Sequence, residues 1–143
     1  MTRLTIHHFP DPRRVMDEVA RVTRPNGRVV VVDFLSSEKE GEASLHNALE
    51  TLRDPTHMGA LSANELQKLL QASGLRITSR VAWERERDFE EWIGIANAPE
   101  RAKPIYTVMA TLAGAGIQAG IDLHLDGNKV TFKHDYLLLA AEK

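Results

Sequence analysis

Four consecutive valines, Val29 to Val32, constrain this chain more than any other stretch. Side chains alternate faces along a strand, so an unbroken β-branched run must be covered on both sides. Such a run belongs inside a sheet, and apolarity on both faces suits a central parallel strand. The residues before it complete a unit. Leu4 and Ile6 read as the end of a strand within Arg3–His8. Asp11 is placed to cap a helix, and Pro12 to open it where no amide hydrogen is missed. Val15, Met16, Val19 and Ala20 recur at three and four, the spacing of one helix face. Asn26 and Gly27 tolerate the left-handed backbone that stops a helix. The stretch from Arg3 to Leu35 therefore predicts one βαβ unit with a right-handed crossover.

The alternation continues downstream. Glu38 to Leu52 carries Leu45, Ala48, Leu49 and Leu52 on one helical face, and Arg53 to Leu61 reads as an irregular loop. Ser62 and Glu65 form a capping box before the apolar stripe Leu66, Leu69 and Leu70, and Gly74 closes that helix. Leu75 to Trp83 predicts a strand burying Leu75 and Ile77, together with Val81 and Trp83. Asp88 caps a helix holding Phe89, Trp92, Ile93 and Ala96. Pro99 and Pro104 punctuate the start of the next, which carries Ile105, Val108, Met109 and Leu112. Ile121, Leu123 and Leu125 alternate up to Asp126-Gly127, a hairpin signal. The return strand places Val130, Phe132, Tyr136 and Leu138 on one face, with Leu137 and Leu139 on the other.

Composition narrows the class. At 143 residues the chain makes a single domain, 1–143. A net charge of −2 implies no nucleic-acid partner. With no cysteine there is neither a disulfide framework nor a thiolate nucleophile. No apolar run reaches the roughly 20 residues of a membrane span, and Met1–Leu4 lacks the plan of a signal peptide, so a cytoplasmic location is expected.

The run His7-His8-Phe9, Asp11-Pro12, then Arg21-Val22, Arg24-Pro25-Asn26-Gly27, then Asp33 resembles the second half of class I S-adenosylmethionine-dependent methyltransferases. The likeness is to the ubiquinone and menaquinone biosynthesis group (methyltransferase type 11). The segment Leu52-Arg53-Asp54-Pro55-Thr56-His57 is similar to one subgroup. The resemblance implies an α/β fold: the second half of a Rossmann-like mixed sheet, parallel strands plus a C-terminal antiparallel hairpin, with flanking helices. It implies methyl transfer to a small-molecule acceptor with S-adenosylmethionine as cofactor. The family's Gly-rich cofactor loop and the acidic residue after its second strand lie upstream of anything here, so binding of the cofactor by this chain alone is expected to be weak. The alternative is a non-catalytic binding or oligomerisation module derived from the same fold.

Candidate site residues follow from position. Ligands of open α/β sheets bind beyond the carboxyl ends of strands, where His7 and His8 stand. Histidine titrates near neutrality, so His7, His8 and His57 are the candidate catalytic bases. Asp33 ends its strand beside the same region. Arg53 and Asp54 sit on the polar loop, where an arginine can clamp a carboxylate or phosphate. Asp33, Arg53 and Asp54 are thus candidate substrate ligands, and His7, His8 and Phe9 the candidate cofactor contacts. Arg53 and His57 are expected to face one cleft with His7 or His8. Plainer roles stay open: a loop hydrogen bond for one histidine, amide binding for Asp33, and a helix end and turn for Arg53 and Asp54. Gly114 to Ala119 matches a dinucleotide pattern, but a helix precedes it where the motif needs a strand. Without cysteine or H-E-x-x-H spacing, no metal is expected. With no partner strand, Arg3–His8 would be an exposed edge, favouring a homodimer unless Ile121–Leu125 folds across it.

Overall fold

The computed structural model describes residues 1–97 and 99–143. The chain forms β1 (Thr2–Arg3), a short 3₁₀ turn (Ile6–His8), α1 (Pro12–Val22), β2 (Arg28–Phe34), α2 (Glu40–Arg53), α3 (Ala63–Ala72), β3 (Arg76–Asp88), α4 (Phe89–Ile95), α5 (Pro99–Gly114), β4 (His124–Asp126) and β5 (Lys129–Glu142). The sheet runs β1-β2-β5-β3, with β4 hairpinned onto β5. Only β1 and β2 are parallel; β5 pairs antiparallel with both β2 and β3. The sheet is mixed, and the valine run lies inside it as expected.

Local signals account for the helices. Asp11 accepts the Arg14 amide at the start of α1, with Pro12 as its first residue. The capping box of Ser62 and Glu65 opens α3, and Asp88 accepts the Glu91 amide at α4. Helix α1 stops earlier than expected, at Val22. Pro25 and Asn26 then make a tight turn in which the Gly27 amide donates to Arg24 and Asn26 takes a φ of 59°. Pro104 lies inside α5 rather than before it.

The core is split between the two faces of the sheet. On β5, Leu137, Leu139 and Ala141 are buried with Met16, Val31 and Leu70. Val130 and Phe132 have the opposite parity and are buried with Trp92, Ile105 and Met109. One long strand thus serves two clusters by switching its covered face midway.

Four expectations need correction. Arg3–His8 is not an edge strand: β1 is two residues long, Leu4 turns the chain with a φ of 53°, and Ile6 is buried in the core. The Asp33 carboxylate accepts the amides of Ile6 and His7, which pulls this segment out of strand geometry. The residues 121–125 do not cover it; β4 pairs with β5, and Ile121 and Leu123 precede or flank that strand as buried loop residues. On β3, which lies at the edge of the sheet, Val81 and Trp83 are 51% and 41% exposed. Helix α2 turns His46, Leu49 and Glu50 inward, leaving Ala48 and Leu52 exposed.

Candidate functional site

Phe34, the last residue of β2, is the hub of a histidine cluster. Its ring centroid lies 4.5 Å from His7, 5.8 Å from His46, 6.0 Å from His57 and 5.0 Å from His134. His8 stacks beside His7 at 4.3 Å. Five of the six histidines therefore converge at one end of the sheet, and only His124 stands apart.

His7 is the most completely positioned of these. Its Nδ1 lies 2.6 Å from Asp33 Oδ1, and both side chains are buried. The carboxylate also accepts the Ile6 amide at 2.8 Å and the Phe34 amide at 2.9 Å. A carboxylate so held keeps the proton on Nδ1 and leaves the Nε2 lone pair as the available base. His8 Nδ1 is 3.1 Å from the Thr56 carbonyl. The amides of Met58 and Gly59 donate to the His7 carbonyl at 2.8 and 3.1 Å. The loop after α2 is thereby tied to the 3₁₀ turn Ile6–His8.

A cavity of about 230 Å³ opens here, walled by His7, His8, Phe34, Arg53, Trp92 and Tyr136, with Asp54, Arg87 and His134 also reaching it. Arg53 thus shares one cleft with the two histidines, as expected of it with one of them, and both His7 and His8 reach it, as does Asp54. His57 does not line it. His57 is 5% exposed, packs 5.5 Å from His7, and donates from Nε2 to Asn47 Oδ1 at 2.7 Å. Phe9 faces away from the cleft, packed against the cluster of α1 and α3. Asp33 lies beneath His7. Asp54 is a turn residue: Oδ1 accepts the Thr56 amide and hydroxyl, which outweigh partial burial and lower its pKa.

Arg53 is largely engaged. Its Nε donates to Glu50 Oε2 at 3.1 Å, its Nη2 lies 2.9 Å from the same oxygen as an ion pair, and its guanidinium sits 5.1 Å over the Trp92 ring. Glu50 is 1% exposed and also accepts the Trp92 indole at 3.0 Å. Burial opposes its charge, but the neighbouring His134, His46 and Arg53 hold its carboxyl well below the usual range. Burial lowers His134 against the pull of Glu50. His46 and His134 escaped the sequence reading, although two signals were available. His46 and Glu50 are one helical turn apart, and His134 shares the parity of Phe132 and Tyr136.

Burial pushes His57 down to about 4, helped by His7 and His46 and opposed by Glu50. The sign follows directly. A folded pKa below the ordinary value of about 6.5 means the unfolded chain takes the proton first. Stability should therefore fall as pH drops from about 6.5 towards 4, and His134 acts in the same direction. Urea midpoints of His57→Gln across that window should form a shallower slope than wild type. An unchanged slope would remove His57 as a contributor.

Comparison with known proteins bears on the family and the fold. A family model described as a methyltransferase domain matches residues 1–80. The uncharacterized methyltransferase YcgJ of Bacillus subtilis (strain 168) is 34% identical over 106 residues, covering 73% of this chain and 42% of YcgJ. The crystal structure of YcgJ superposes with a TM-score of 0.86 at 29% identity, over 99% of this chain and 61% of that one. BH2331 from Bacillus halodurans C-125 superposes with a TM-score of 0.88 at 22% identity, over 99% and 67%. By sequence, the chain spans less than half the length of YcgJ.

Proposed function

This chain belongs to the methyltransferase domain family, and on that premise we propose that it forms the acceptor side of a methyltransferase acting on a small molecule. The carrying observation is the His7–Asp33 pair, which opens onto a cavity beyond the carboxyl ends of the parallel strands β1 and β2. S-adenosylmethionine supplies the methyl group in this reading.

The residues present do not form the cofactor's cradle. The Asp33 carboxylate is filled by three amides and His7, and Phe9 is half-buried against the edge of the α1–α3 cluster, away from the His7 cleft. Among the described residues, the glycine-rich segment 114–120 follows a helix, and Gly120 is pressed against Glu42 and Ser37. Isothermal titration of this chain with S-adenosylmethionine should therefore give a Kd weaker than about 1 mM. Micromolar affinity would contradict the assignment.

What the chain does for an acceptor is bind it, orient it and hold a proton. The aromatic walls Phe34, Trp92 and Tyr136 suit a small planar acceptor. Arg87 donates to Tyr136 and Glu91, and its Nε has no partner, so it can meet an acidic substituent. An acceptor hydroxyl against His7 loses its proton to Nε2. Asp33 stabilises the resulting imidazolium and keeps the ring aimed.

No helix among the described residues is long and apolar enough to cross a membrane. A homodimer through Arg3–His8 loses its basis with that strand. In this reading the surface for self-association is the exposed stretch of β3 around Val81 and Trp83.

A further inference from the structure

We propose that His46, Glu50 and His134 form a binding site for a divalent first-row transition-metal ion such as Zn²⁺ or Fe²⁺. One donor atom from each residue lies within 4.8 Å of the others. His134 Nε2 is 3.0 Å and His46 Nε2 is 3.8 Å from Glu50 Oε1. Three donors bound to one ion at about 2.1 Å sit roughly 3 to 3.5 Å apart, so a small closure of the His46 ring completes the set.

The unpartnered nitrogens are the independent observation. His46 and His134 are 1% and 3% exposed, and none of their four ring nitrogens makes a hydrogen bond. Even the 3.0 Å approach to Glu50 lies outside hydrogen-bond geometry. Buried imidazoles are ordinarily satisfied. An ion would engage one nitrogen from each ring at once. Aromatic packing aims the rings: His134 is stacked on Phe34 and lies edge-on to Phe132, and His46 lies against Phe34. Arg53 holds Glu50 from behind through Oε2, the kind of support that orients a metal-binding carboxylate, while the Trp92 indole donates to Oε1, the oxygen that faces the two imidazoles.

The donor set is two imidazoles and one carboxylate, which suits catalytic zinc and non-haem iron and leaves coordination positions open. Two ligands stand one helical turn apart on α2, and β5 brings the third. The absence of cysteine and of H-E-x-x-H spacing does not count against such a set. His134 and Arg53 also line the cavity beside His7, which gives an ion a route in. The site does not depend on the methyl-transfer reading.

The test is equilibrium dialysis of the chelator-stripped chain against Zn²⁺, with Co²⁺ as a spectroscopic probe. One ion per chain is expected, with a raised Tm. His46→Gln and His134→Gln should each weaken uptake by about 100-fold or more, beyond the loss of an outer-shell partner. His124→Gln should bind as wild type. Pulsed electron paramagnetic resonance of the Co²⁺-loaded wild type should count two coordinated imidazoles, which decides the matter if either variant fails to fold. Substoichiometric uptake, uptake that survives both glutamine variants or follows His124, or a spectrum with fewer than two imidazoles would overturn the site.

Discussion

Glu50→Ala is expected to cost about 3 to 5 kcal/mol in the presence of a chelator, because it strands a partly buried guanidinium and an indole N–H. A domain of this size holds roughly 5 to 15 kcal/mol in all, so the variant should be close to unfolding at 25 °C. The loss comes from breaking the pair rather than from the net worth of the pair. Glu50→Leu combined with Arg53→Met removes both charges and should recover most of the stability. Urea midpoints at constant slope measure it. A Glu50→Ala midpoint equivalent to less than about 1 kcal/mol of loss would show that Glu50 is not what holds α2 to α4.

Turnover gives the second large effect. In an active methyltransferase that contains this chain, His7→Gln should lower kcat for methyl transfer to a hydroxyl acceptor by about 10² to 10⁴, the usual share of a general base. Asp33→Asn should lower kcat as well, because an amide no longer selects the Nδ1–H tautomer. KM should move little in either case, since the lost interaction belongs to the transition state. Unchanged kcat in His7→Gln would reduce the pair to a structural clamp on β1.

Much of the fold was legible because its signals are local. The Asp11–Pro12 start, the Ser62–Glu65 box, the Asp88 cap and the hairpin before Lys129 each depend on residues a few positions apart. Misreadings arose where distant groups decide. Nothing between Thr2 and His8 announces a 3₁₀ turn; Asp33 imposes it by accepting the amides of Ile6 and His7. The inward face of α2 could not be read from leucines, because its buried Glu50 is held by Arg53 and by the Trp92 indole of α4. Val81 and Trp83 have the pattern of buried strand residues, and only tertiary structure leaves that stretch bare. The convergence of His7, His8, Arg53 and Asp54 followed from where strands end. Histidines 46 and 134 stand on α2 and β5, far apart in the chain, and only the tertiary fold brings their rings to 5.4 Å.

The central claim is that the cleft at His7 and Asp33 receives the acceptor. Imidazole ¹⁵N resonances of the chain alone, followed while phenols, catechols and hydroxylated aromatic acids are titrated in, test it most directly. The account predicts saturable shifts at His7 and His8 for one of these classes, with His124 unmoved. Shifts confined to His124, or none at His7 and His8 with any acceptor, would contradict it.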